Sequence, residues 1–314
     1  MRPLYFDCDT GIDDALALAY LFASPEIDLM GIGSVSGNID AATGARNTLD
    51  LLALAGLTVP VAVGAHDPLR GEYHGGVPHI HGRNGIGNVV IPRASTEPVA
   101  ESAAEMLIRL SHEFPGQLEV VAVGPLTNIG VALALDPTLP ERVKAVTIMG
   151  GAAAASGNVT PVAEANIFND ADAAAITLRQ EWPIVLVPLD VTIEHIFEEE
   201  HREALLASER PLPHALGQIL DLYFEFYVEL YGRRSSALHD PLAAAIAVGG
   251  VVPTNAPAVS VVVDDGDGPG RGQTICDLRD QRNGPRDQAD AHVRVVLATD
   301  IPLADHLLAR ILTL

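Results

Sequence analysis

The chain has 314 residues, 48% of them hydrophobic, which is enough for one large α/β domain or two small ones. Its formal net charge is −22, with 41 acidic residues against 19 Lys and Arg; such a surface repels phosphate backbones and anionic lipid, which argues against nucleic acid and membrane partners. No apolar run approaches the roughly 18 residues that span a bilayer, no signal-peptide pattern precedes Asp7, and Cys8 and Cys276 do not make a disulfide framework. A cytoplasmic protein is expected, and Lys144, its only lysine, reads as composition bias.

Short runs rich in Val, Ile and Leu alternate with longer helical patterns. Strands are predicted at Leu4–Asp9, Leu29–Ser36, Val59–Val63, Leu118–Val123, Val143–Met149, Ile184–Leu189, Val259–Val263 and Val293–Leu297. Most are apolar throughout, the mark of strands covered on both faces. Helices are predicted at Asp14–Phe22, Ala41–Ala55, Val99–His112, Thr127–Leu135, Ala171–Leu178 and Pro241–Val248. The alternation implies right-handed βαβ units in a doubly wound, mostly parallel sheet flanked by helices, taken as a single domain over 1–314. Two Gly-rich stretches are predicted loops. Arg70–Asn88 carries His74, His79 and His81 and reads as a mobile lid; Asp264–Gln288 reads as a surface excursion with a hairpin around Thr274–Leu278.

Ligands on such sheets bind outside the carboxyl ends of the strands, so polar chemistry should follow the strands. It does so four times. Asp9, Asp13 and Asp14 follow the first strand, and Ser36-Gly37-Asn38 the second. Gly124-Pro125-Leu126-Thr127-Asn128 and Gly150-Gly151, with Asn158, Glu164 and Asn166 beyond, follow two more.

The densest constellation is Asp7-Cys8-Asp9-Thr10-Gly11-Ile12-Asp13-Asp14. A helix N-cap accounts for one of these carboxylates, and not for all four. Like charges this close raise each other's pKa, and no Lys or Arg occurs between Pro3 and Met30 to offset them. A bound cation is the natural occupant, and the oxygen donors favour Ca²⁺ or Mg²⁺ over zinc. His239-Asp240-Pro241 is, alone, an ordinary helix start. Beside the N-terminal cluster, Asp240 becomes a distant ligand and His239 a candidate acid. Carboxamides beside a carboxylate, as in Asn158, Glu164 and Asn166, suit sugar hydroxyls. Tyr223, Tyr227 and Tyr231 form a stripe at helical spacing, a pattern more often core than pocket.

Taken together, Asp7 to Asp14, Ser36-Gly37-Asn38, Gly124 to Asn128, Met149-Gly150-Gly151, Ala163 to Asn166 and His239-Asp240-Pro241 resemble the inosine/uridine-preferring nucleoside hydrolases, in order along nearly the whole chain. The resemblance implies Ca²⁺-dependent hydrolysis of ribonucleosides to base and ribose, in nucleoside salvage, by a homodimer or homotetramer. It implies Ca²⁺ ligation by Asp9, Asp14, Asp240 and the Val123 carbonyl. Asp9 would also take the proton of the attacking water. Asp13, Asn38, Asn158, Glu164 and Asn166 would bind the ribose, with His81 near the sugar or base. His239 would protonate the leaving base, with Tyr227 a helper.

Two positions depart from the family pattern: Thr10 replaces a common Pro, and Ala165 a common aromatic residue, which leaves base preference open. Two other readings compete. A catalytically idle nucleoside binder would use the same positions. A Mg²⁺-dependent haloacid-dehalogenase-type phosphatase also begins with Asp-x-Asp after a strand, but leaves Asp13-Asp14 and His239-Asp240-Pro241 unexplained.

Overall fold

A computed structural model describes residues 1–281 and 284–314. Six parallel strands, β1 (Arg2–Cys8), β2 (Ile27–Ser34), β3 (Val61–Val63), β4 (Glu119–Ala122), β5 (Ala145–Met149) and β6 (Ile184–Val187), lie in the order β3-β2-β1-β4-β5-β6. Val293–Val295 extends the sheet in parallel beside β6, and Ala258–Val259 closes that edge antiparallel. The mostly parallel, doubly wound arrangement expected from the apolar strands is what forms.

Alternation along the strands divides the core. Leu4, Phe6 and Cys8 of β1 join the apolar layer on one face, and Tyr5 joins the layer on the other. The helix α1 (Ile12–Phe22) is apolar all round after its first turn and is buried from Ile12 to Leu21, as an internal helix must be. Its start lies two residues before the predicted one.

The order reverses direction at β1. The chain runs outward from β1 to β2 and β3, then returns to β4 on the other side. The crevice between the carboxyl ends of β1 and β4 is therefore the switch point at which such sheets bind ligands. Asp9 follows β1 there, and Val123 follows β4.

Two predicted features are corrected. The strand expected at Val259–Val263 breaks at Ser260, whose N–H donates to the Gln288 side chain at 2.9 Å and whose carbonyl accepts from Asp277 N–H at 2.9 Å. Its second half, Val261–Val263, leaves the sheet and pairs antiparallel with Thr274–Cys276. This is the hairpin expected around Thr274–Leu278, with a partner strand from outside the predicted excursion; Arg282 and Asn283 of that excursion lie outside the described residues. The helix Pro211–Tyr231, the longest of the described residues, was visible beforehand only as its tyrosine stripe. Among the described residues, no helix is long and apolar enough to cross a membrane.

Candidate active site

A cavity of about 540 Å³ opens over the β1–β4 crevice. It brings together Asp13, Asn38, His81, Val123, Asn158, Glu164, Asn166, Tyr227, His239 and Asp240, all expected from the sequence. Asp9 and Asp14 do not line it; they are sealed below, 1% and 0% exposed.

The acidic floor is built by local backbone geometry. Asp14, in the first turn of α1, accepts the Gly11 N–H at 2.8 Å and the Asp9 N–H at 3.1 Å, so it caps the helix that carries it. Asn38 Nδ2 donates to the same carboxylate at 3.2 Å, and the Asn38 N–H donates to Asp9 Oδ2 at 2.6 Å. Two glycines make room for Asp9. A Cβ on Gly37 would lie 2.1 Å from its Oδ2, and one on Gly124 would lie 2.9 Å from its Oδ1.

Oxygens of Asp13, Asp14 and Asp240 lie within 4.8 Å of one another, all buried. The cluster thus joins Asp14 and Asp240 with Asp13, while Asp9 stands behind it. Burial raises all four carboxyls, and mutual repulsion adds to the rise of Asp9, Asp13 and Asp240; Asp13 reaches about 7, opposed by the Tyr223 hydroxyl. None of the four forms an ion pair among the described residues, and Asp9 Oδ1 and Asp13 Oδ1 are buried without any partner. Hard oxygen donors, orphaned and crowded, fit a divalent cation. The Val123 carbonyl accepts from Asn166 Nδ2 at 2.8 Å, which leaves one lone pair free.

Glu164, Asn166 and Asn158 have structural duties in the local backbone. Glu164 caps the helix Ala165–Asn169, accepting from Asn166 N–H at 2.9 Å and Ile167 N–H at 3.1 Å, and it also accepts from Gly151 N–H at 2.9 Å. Burial raises its pKa against those N–H groups. Asn166 Nδ2 also donates to the Met149 carbonyl at 3.2 Å, so one amide ties the ends of β4 and β5. Asn158, exposed at the mouth, accepts from Ala165 N–H at 3.0 Å.

On the opposite wall, His81 ends a single helical turn, Pro78–His81, in the predicted lid, and its Nδ1 accepts the Ile12 N–H at 3.0 Å. It is a second cap on α1. Burial lowers its pKa to about 3 and that of His239 to about 4, so both rings are neutral at pH 7. His239 contacts Thr192 through Nδ1 at 2.7 Å. The tyrosine stripe is divided: Tyr223 is 2% exposed and serves both core and cavity, while Tyr227 crosses it edge-to-face at 4.9 Å and stacks on Tyr231 at 5.5 Å.

The cavity also recruits Tyr73, Phe168, Phe226, Leu230 and Arg271, which the sequence reading missed. Phe226 and Leu230 share a helix with the stripe, and that helical spacing was the available signal. Arg271, in the hairpin loop, had none.

A family model described as inosine-uridine preferring nucleoside hydrolase matches residues 4–304. The chain is 36% identical over 242 residues to probable uridine nucleosidase 2 of Arabidopsis thaliana, covering 76% of this chain and 75% of that one. It is 36% identical over 241 residues to the pyrimidine-specific ribonucleoside hydrolase RihA of Citrobacter koseri, covering 76% and 77%. A solved purine-preferring ribonucleoside hydrolase from Gardnerella vaginalis superposes with a TM-score of 0.90 at 32% identity, covering 99% of this chain and 98% of that one.

Proposed function

Since the chain belongs to the inosine-uridine preferring nucleoside hydrolase family, we propose that it is a Ca²⁺-dependent ribonucleoside hydrolase that releases free base and ribose in nucleoside salvage. The observation that carries this reading is the carboxylate group Asp13, Asp14 and Asp240 at the floor of a cavity also lined by Asn38, Glu164 and Asn166.

Breaking the glycosidic C–N bond leaves positive charge on the ribose. Asp13, Glu164 and the carboxamide oxygens face that charge in a buried site, where fixed dipoles and anions are most effective. Asp9, Asp14, Asp240 and the Val123 carbonyl would hold a divalent cation, which would supply Lewis-acid polarisation of the attacking water. Asp9 Oδ1, buried and unpartnered, is the base for the water proton. Asp13, Asn38, Asn158, Glu164 and Asn166 hold the sugar. His81 stands near sugar or base, and His239, helped by Tyr227, serves the departing base.

The deciding experiment is a panel of inosine, adenosine, guanosine, uridine and cytidine with Ca²⁺, reading ribose and free base. Release of both, with a ranking of the five, supports the reading and gives the base preference. Binding of these nucleosides without release would favour an idle binder instead. We further take the chain as one hydrolase domain that forms a homodimer or homotetramer in the cytoplasm; family analogy supports the assembly, and two free cysteines suit a reducing compartment. Light scattering checks the assembly.

A further inference from the structure

The short helix Leu189–Thr192, directly after β6, meets the site from behind. Leu189 N–H donates to the Gly151 carbonyl at 2.9 Å, and Asp190 accepts three consecutive backbone N–H groups, from Ala153, Ala154 and Ala155, at 2.7 to 2.9 Å. The turn is thereby fixed against the segment that leads to Asn158 and Glu164. Thr192, 0% exposed, closes it and places its hydroxyl 2.7 Å from His239 Nδ1.

A hydroxyl has one proton to give. Among the described residues the Thr192 hydroxyl has no hydrogen-bond partner except His239. The carbonyls one turn back, Pro188 and Leu189, accept backbone N–H groups from Val191, Thr192 and Ile193, and neither is a hydrogen-bond partner of the Thr192 hydroxyl. If the hydroxyl accepted from Nδ1–H, its own proton would be buried without a partner, which costs more than the bond gains. Donation to Nδ1 satisfies both groups. It leaves the ring proton on Nε2, the nitrogen left for the cavity that His239 lines.

Resting on the hydrolase reading, we infer that Thr192 is a positioning residue for the leaving group: it fixes the His239 tautomer that offers an Nε2–H donor to an acceptor atom of the nucleobase. The ring needs no net charge to make this hydrogen bond. A leaving group that requires no such help is indifferent to Thr192.

The test pairs Thr192→Val, of equal shape, with Thr192→Ser, which restores the hydroxyl. Substrates are the best nucleoside of the panel and 4-nitrophenyl riboside, whose leaving group is activated. Thr192→Val is expected to lose about tenfold or more in kcat/KM on the nucleoside, the worth of one hydrogen bond to a reacting group, and little on the nitrophenyl substrate. Thr192→Ser is expected to recover most of the loss. Nitrogen-15 NMR of the imidazoles, with His239 assigned through His239→Gln, reads the tautomer without any turnover. A proton on Nδ1 in the unaltered protein overturns the inference, as does an equal loss on both substrates or none on either. A protein that releases no ribose from any nucleoside fails the hydrolase reading, and the NMR result still decides the tautomer.

Discussion

Gly37 lies against Asp9 so closely that a Cβ on it would meet the carboxylate Oδ2 at 2.1 Å. The clash is hard to relieve, because the same oxygen accepts the Asn38 N–H at 2.6 Å and the added Cβ would also meet Pro125 Cδ at 2.8 Å. Gly37→Ala is therefore expected to displace Asp9 while leaving the distant core intact. Misplacement of a reacting group by about 1 Å costs on the order of 10²-fold in rate. Kinetics and a Ca²⁺ titration of Gly37→Ala check this; unchanged values for both would refute the tight fit.

The raised carboxyls predict how a metal enters. Asp13 sits at about 7, and Asp9 and Asp240 are also raised. Between the ordinary carboxylate range and these values, the metal-free folded protein holds protons that the unfolded chain has lost. Its stability without metal should fall as pH rises from about 4 to about 7. Ca²⁺ should reverse that loss and expel protons on binding. Calorimetry in two buffers of different ionisation enthalpy, at about pH 6, counts the released protons. Binding with no proton release would contradict the shifts.

Removal of His239 should separate substrates by leaving group. His239→Ala is expected to cost about tenfold or more on natural nucleosides, because it removes the Nε2–H donor that Thr192→Val only misplaces. It should cost far less on 4-nitrophenyl riboside. Equal losses on both would show that the ring serves packing alone.

The carboxamides and Glu164 at the cavity predict discrimination by the sugar. Sites built to bind a hydroxyl reject analogues that lack it, because their buried polar groups are left unpaired. 2′-Deoxynucleosides should show kcat/KM at least about a hundredfold below ribonucleosides. Comparable values would remove the ribose clamp.

Asp190 predicts a link between stability and binding. Asp190→Ala frees three backbone N–H groups of the segment before Asn158. Loss of such charge-assisted bonds is expected to destabilise by about 2 kcal/mol and to raise KM more than it lowers kcat. Thermal melting and steady-state kinetics measure the two effects; a lower Tm at unchanged KM would confine Asp190 to folding.

Much of this architecture was legible because it is written locally. Strands buried on both faces are apolar without interruption, and β1 to β6 were found for that reason. Polar residues soon after a strand mark its carboxyl end, which located Asp9 and Asn38. What stayed hidden depends on contacts between distant segments. His81 caps α1 from 69 residues away, and Thr192 meets His239 across 47. No periodicity encodes either pairing. The break at Ser260 was hidden because its apolar neighbours continue as a strand, and only the distant Gln288 and Asp277 reveal that it leaves the sheet.

The division of the cavity walls has an evolutionary consequence. The carboxylates and carboxamides of the cavity hang from the ends of β1, β2, β4 and β5 and from helix starts packed beside them, where a shift in one would disturb the others. Phe226, Tyr227 and Leu230 stand instead on one face of the helix Pro211–Tyr231, and Tyr73 in the loop facing it. Leu230 is 69% exposed, so its replacement leaves no hole in the core. On the proposed function, selection could rebuild the Phe226, Leu230 and Tyr73 part of this wall one residue at a time, at little cost to folding and without touching the carboxylate floor. If the chain acts on ribonucleosides as proposed, drift in base preference is the easiest change this scaffold permits, and loss of sugar discrimination among the hardest.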